Sequence, residues 1–161
     1  MELVEASRKQ QVMKKLNLPQ YPIKLKEENG QQFIFDAFRK KYLILTPEEW
    51  VRQNFIHYLI YEKGFASSLI AIEKGLKLNE LQKRADAVVY DKNAQPIVLI
   101  ECKAPHIKIN QETFEQIARY NRVFKVPYLV VTNGMKHYCA KINFIDNTFE
   151  FLKEIPHYKE L

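Results

Sequence analysis

Two acids and one amine are the residues of this chain best placed to do chemistry. Asp86 closes the segment Arg84-Ala85-Asp86, and Glu101-Cys102-Lys103 follows, with fourteen residues between the two acids. Between them lie two apolar, β-branched runs, Ala87-Val88-Val89-Tyr90 and Ile97-Val98-Leu99-Ile100, split by the polar segment 91–95. That pattern predicts a β-hairpin. Side chains two apart share a strand face, so Glu101 and Lys103 point one way and Cys102 points the other way, into the core. A four-residue loop pairs Asp91 with Pro96 and sets Asp86 opposite Glu101, with Cβ atoms roughly 4.5–5.5 Å apart. A five-residue loop slips the pairing by one and sends the carboxylates to opposite sides. Carboxylates that close repel unless a cation lies between them. A hard divalent ion such as Mg²⁺ takes oxygen ligands and typically uses one or two carboxylates plus substrate phosphate. Asp86, Glu101 and the Cys102 carbonyl could supply such a shell. Lys103 would bring an ammonium to the same place, to stabilise charge on a phosphorane or help deprotonate water. The plain alternative is a strand-end salt bridge between Glu101 and Lys103, with Asp86 a solvated strand-start residue.

The elements that must hold these groups are legible on either side. Thr46-Pro47-Glu48-Glu49 is a helix start, with Thr as N-cap and Pro at the first helical position. The helix should run to about residue 62, stop at Gly64 and bury Val51, Phe55, Tyr58 and Leu59. A strand is expected at 67–73, then a linker through residue 80, then the hairpin. A second helix spans about 110–124, with Phe114, Ile117, Ala118 and Asn121 on its core face. Tyr128-Leu129-Val130-Val131 reads as a strand buried on both faces. The Asn133-Gly134 turn leads to strands near 137–142 and 149–152. This order predicts an α/β fold, a mixed central sheet flanked by helices. Upstream, residues 1–16 carry a weak helical pattern, Asn29-Gly30 marks a hairpin, and Tyr42-Leu43-Ile44-Leu45 is another strand. The expected division is an N-terminal extension over 1–45 and a main domain over 46–161.

At 161 residues, one domain with a substantial core is expected. No apolar run approaches the roughly 20 residues that cross a bilayer, so no membrane partner is expected. The N-terminus lacks a secretory pattern. The two cysteines, Cys102 and Cys139, read as reduced, buried thiols, and a cytoplasmic location follows as an expectation. A net charge of +6 permits nucleic acid as a partner without requiring it.

Asp86, Glu101 and Lys103 on a hairpin, within a helix–strand–strand–strand–helix–strand order, resemble the PD-(D/E)xK nuclease superfamily. The stretches Thr46-Pro47-Glu48-Glu49-Trp50-Val51-Arg52-Gln53, Arg84-Ala85-Asp86 and Glu101-Cys102-Lys103-Ala104-Pro105 resemble the N-terminal nuclease domain of type I restriction enzyme R subunits, in a short stand-alone form. Gln116-Ile117-Ala118-Arg119-Tyr120 matches that family's Gln-x-x-x-Tyr motif. The resemblance spans about 46–142. It implies a restriction-endonuclease-like core and Mg²⁺-dependent hydrolysis of DNA phosphodiesters, with Mn²⁺ able to substitute. Asp86 and Glu101 would be metal ligands and Lys103 the catalytic cation. Ala85 stands where the family's classical Pro precedes the first acid, a departure that does not touch the chemistry. No motor domain follows within these residues, so a restriction role is not implied; a homodimer, or separate motor and specificity subunits, would be the protein partners.

Other candidates carry plainer accounts. Gln116 and Tyr120, one turn apart, could bond a phosphate or stack on a base; spacing alone reads them as a half-exposed pair covering the sheet edge. The family also uses an acid on the first helix. The position three before Arg52 selects Glu49, while the helical wheel selects Glu48; either could be a first-turn acid favoured by the helix dipole. Glu73 is a rival carboxylate. Arg84 and Arg119 are candidates for phosphate contact, whereas Lys14-Lys15 and Arg39-Lys40-Lys41 read as solvated surface. Cys102, His106, His137 and Cys139 lack the tight paired spacing of zinc sites. The rival functions are a non-cleaving nucleic-acid- or partner-binding module on the same fold, and a nuclease acting on RNA.

Overall fold

Two helices sandwich a six-stranded mixed sheet, and the helix on one side carries a second, smaller sheet on its back. The computed structural model describes residues 13–72, 75–78 and 81–161. The expected helical pattern of 1–16 falls largely outside these residues, and so does Glu73.

The first helix, α1 (Pro47–Lys63), starts where Thr46 accepts a hydrogen bond from the Glu49 N–H at 3.0 Å, and stops at Gly64, whose φ of 72° favours glycine. The second, α2 (Gln111–Asn121), is capped by the Asn110 side chain, which accepts from the Thr113 N–H at 2.8 Å. It ends earlier than the sequence predicts, because residues 122–124 tighten into a 3₁₀ turn closed by Lys125 at a φ of 51°.

Three strands, β1 (Leu25–Glu28), β2 (Gln31–Asp36) and β3 (Lys41–Ile44), form an antiparallel N-terminal sheet. Asn29 and Gly30, both at positive φ, make the tight turn between the first two. The chain then adds β4 (Ile70–Ile72), β5 (Gly75–Leu78), β6 (Leu81–Arg84), β7 (Ala87–Tyr90), β8 (Pro96–Cys102), β9 (Tyr128–Thr132), β10 (His137–Asn143) and β11 (Thr148–Phe151). The central sheet runs β11-β10-β9-β8-β7-β4; only β8 and β9 are parallel, joined by the α2 crossover. Where the sequence suggests a linker, β5 and β6 pair as an antiparallel ribbon. Leu76, Leu78 and Leu81 alternate with polar residues over segments too short to stand out from a loop.

The apolar runs of β7, β8 and β9 are buried on both faces, as continuous runs should be. On one side Ala87, Val89, Ile100, Cys102 and Val130 meet Val51, Phe55 and Leu59 of α1. On the other, Val88, Leu99, Leu129 and Val131 meet Phe114 and Ala118 of α2. The face of α1 away from the central sheet is buried too, and polar: Gln53 and His57 lie there, with Asp36 at the end of β2 and Phe38 in the turn after it against them. A single apolar stripe therefore describes only half of this helix.

The hairpin settles the carboxylate geometry by a route the loop alone does not give. Tyr90 pairs with Pro96, which leaves a five-residue loop, Asp91 to Gln95. Asp91 organises it, its Oδ1 accepting from the N–H groups of Asn93 and Gln95 at 2.8 and 3.0 Å. A five-residue loop should put the two acids on opposite faces. A β-bulge opposite the Val89–Tyr90 step corrects the count: Val89 pairs with Val98 and Tyr90 with Pro96, so Ile97 is the extra residue. Beyond it Ala87 faces Ile100, and one further step sets Asp86 against Glu101.

Candidate active site

Asp86 sits at the bend before β7, Glu101 and Cys102 end β8, and Lys103 follows directly. The Cys102 N–H donates to Asp86 Oδ2 at 2.6 Å, which ties the two strand ends together and orients the carboxylate. Burial pushes the Glu101 carboxyl up to about 8; the Asp86 charge and a hydrogen bond to Asp86 add to this, and Lys103 and the Asn121 side chain oppose it without cancelling it. Glu101 thus keeps its proton to higher pH than an ordinary carboxylic acid, as burial beside a second acid makes it do. The strand-end salt bridge does not form: among the described residues Lys103 makes no ion pair within 4 Å, and its backbone N–H is bound by the Thr132 carbonyl at 2.8 Å.

Asp86 and Cys102 line a cleft of about 300 Å³ whose opposite wall is the first turn of α1, with Glu48, Glu49 and Arg52, and whose rim includes Ile44. The two first-helix acids have different surroundings. Glu49 is buried; Arg52 and Gln53 both donate to it, the latter at 2.8 Å, and the Arg39 guanidinium lies 3.7 Å away. Glu48 is exposed and near enough for its charge to raise Cys102. Asp36 extends the buried network. Burial raises its carboxyl, but the Arg39 backbone N–H and guanidinium and the Gln53 amide outweigh that and hold it below the usual carboxylate range. The side chain of Cys102 turns into the core, where burial and then Asp86 push its thiol well above the ordinary range.

The remaining candidates are dispersed. Gln116, Arg119 and Tyr120 are exposed on α2, and Arg119 lies 3.8 Å from Glu115. Arg84 ends β6, and its side chain lies outside the described residues. Arg39 is taken up by Asp36, whereas Lys14, Lys15, Lys40 and Lys41 are exposed. His106 is exposed, and His137 bonds Thr132 Oγ1 at 2.7 Å and the Asn17 carbonyl at 2.9 Å. Among the described residues no three His, Cys, Asp or Glu side chains are grouped to hold a metal by themselves, and no helix is long and apolar enough to cross a membrane.

Sequence reasoning treated Asn121 only as part of a core face. It is buried at the last turn of α2, donates to the Ile117 carbonyl at 3.0 Å and acts on Glu101. A polar side chain on an otherwise apolar helix face needs a buried partner, and that was its signal.

Residues 47–156 match the sequence model of the type I restriction enzyme R protein N terminus. The chain belongs to that family. A solved fragment described as an HsdR subunit of a type I restriction enzyme, from Vibrio vulnificus YJ016, matches with a TM-score of 0.50 at 19% identity. The match covers 73% of this chain and 24% of that one, so the chain spans about a quarter of the relative's length. The fold of the chain is restriction-endonuclease-like. A search of the curated proteins finds no significant match.

Proposed function

We propose that this chain is a Mg²⁺-dependent deoxyribonuclease domain of the PD-(D/E)xK type, with Asp86, Glu101 and Lys103 as its catalytic core. The observation that carries the reading is the pair of acids set against each other at neighbouring strand ends, with the Cys102 N–H bound to Asp86 at 2.6 Å and the Lys103 ammonium, directly after, in no ion pair within 4 Å among the described residues. A structural pair at a strand end gains nothing from that repulsion, whereas a divalent cation relieves it. Asp86, Glu101 and the Cys102 carbonyl fit such an ion, since Mg²⁺ takes oxygen ligands and leaves the rest of its shell to water and phosphate. When bound, the ion supplies Lewis acidity, neutralising phosphate oxygens and acidifying water.

The chain's own residues do the rest. The Cys102 N–H fixes one Asp86 oxygen, so the carboxylate meets its ligand in one orientation. Lys103 faces the same side as Glu101 and stabilises the negative charge that grows as water attacks phosphorus and the ester oxygen leaves. Glu49 holds Arg52 against the cleft, and Glu48 presents an exposed acid there. Gln116, Arg119 and Tyr120, exposed on α2, would be the groups that take a substrate phosphate or a base.

Purified protein incubated with plasmid and linear DNA in Mg²⁺ or Mn²⁺, against EDTA, tests this. Wild type should nick only with metal. Lys103→Ala should lose about 10²–10³-fold or more in rate while keeping its fold. DNA binding without nicking by wild type would favour the non-cleaving module, and wild-type cleavage by Lys103→Ala would refute the assignment.

A further inference from the structure

The N-terminal sheet lies outside the stretch that matches the family, and its two faces differ. Ile34 and Asp36 turn inward and are fully buried. The other face carries an alternation of rings and amines. Lys26 pairs with Phe33, Phe33 with Ile44, and Phe35 with Tyr42, so these side chains share one side. The Lys26 Nζ lies 4.2 Å from the Tyr42 ring centre and 5.6 Å from that of Phe33, and the Lys24 Nζ lies 5.7 Å from Phe35. The Phe35 and Tyr42 rings are 5.0 Å apart. Tyr42 is 38% exposed and Ile44 55% exposed, although large apolar groups gain by burial.

We propose that this face is a platform for single-stranded DNA leading into the cleft of Asp86. The proposal rests on the nuclease reading only for the identity of the polymer and its direction of travel. Three observations select the occupant. Rings at strand positions offer π-faces to unpaired bases, which a duplex keeps stacked inside. Lysines lie over those rings, Lys26 also paired with Glu28 at 3.1 Å, and their flexible stems let the ammonium exchange ring and carboxylate for a phosphate as a base takes its place. A protein-docking face is depleted of lysine, whereas Lys24 and Lys26 sit among the rings and Lys40 is exposed in the turn before β3. Ile44 belongs both to this face and to the lining of the cleft, so the face borders the cleft that Asp86 lines.

The test is fluorescence anisotropy of a labelled oligothymidylate of about 15 nucleotides in EDTA, where no cleavage occurs. Phe33→Leu with Tyr42→Leu keeps the apolar bulk and removes the rings; it should weaken binding tenfold or more. Lys24→Gln with Lys26→Gln should lower the slope of log affinity against log salt by about 1.4, two phosphate contacts at ~0.7 each. Tyr42→Trp should restore affinity and show emission quenched by the oligonucleotide, which reports stacking even if the Leu pair folds poorly. Unchanged binding by the Leu pair, unquenched Trp emission, or equal competition by duplex DNA overturns the proposal. A wild-type dimer in sedimentation that the Leu pair dissociates also overturns it, in favour of a protein partner. Wild-type protein that cleaves no DNA in Mg²⁺ or Mn²⁺ would sink the nuclease reading, while the anisotropy in EDTA still judges the sheet.

Discussion

Replacing Glu101 by Gln removes the group whose ionisation is least comfortable in the fold, and its effect has a definite dependence on pH. The Glu101 carboxyl titrates at about 8 in the folded chain against an ordinary value of 4.5, chiefly through burial and then through Asp86. The folded state therefore holds this proton more tightly than the unfolded state. Below about pH 4.5 both states carry it. As pH rises the unfolded state releases it first, so stability falls between about 4.5 and 8 and then levels off. A shift of about 3.5 units at ~1.36 kcal/mol each sets a ceiling near 5 kcal/mol; water reaching the partly exposed carboxyl screens this to about 2–3 kcal/mol. Glu101→Gln, close in shape to the protonated acid, should match wild type at pH 4.5 and exceed it by that amount at pH 8.5. Urea unfolding of both proteins at both pH values measures the difference, and groups common to both cancel. Mn²⁺ at 100 times its dissociation constant should then return about 2.7 kcal/mol to wild type at pH 8.5, with less effect on the variant. An advantage for Glu101→Gln that is the same at both pH values would mean the two acids do not share a site.

Three further outcomes test the frame around the site. Arg52→Ala leaves Glu49 buried with only Gln53 and Arg39 beside it, and should cost about 3 kcal/mol by urea unfolding. Gly134→Ala should lower Tm by roughly 5–10 °C in a calorimetric scan. Its φ is 81°, and the added Cβ would lie 2.6 Å from a Leu16 methyl and 3.2 Å from Val51. Thr46→Ala removes the α1 cap and should cost about 1 kcal/mol, measurable by the same unfolding curves.

The sequence disclosed this fold where local chemistry and packing agree. Thr46, Pro47 and Gly64 bound α1 because caps are decided within a few residues. The runs ending at Tyr90 and Ile100 are strands because they are buried on both faces. What stayed hidden depends on atoms distant in the chain. Nothing near Ile97 says that a bulge will absorb the fifth loop residue, yet that bulge sets Asp86 against Glu101. Glu48 and Glu49 are adjacent first-turn acids, and only the small sheet behind α1, through Arg39 and the buried Gln53, gives one of them internal partners. Asn121 lies twenty residues from Glu101 along the chain, and its reach across depends on how α2 packs on the sheet.

The polar back of α1 bears on how the protein can be divided. The family match opens at residue 47, an inviting place to start a shorter recombinant fragment. Such a fragment would discard Thr46 together with Asp36, Arg39 and Phe38, baring Gln53 and His57 to water and releasing the Glu49 ion pair from its backing. The helix that walls the cleft would then be held from one side only, so the trimmed piece should unfold at a lower urea concentration than the whole chain.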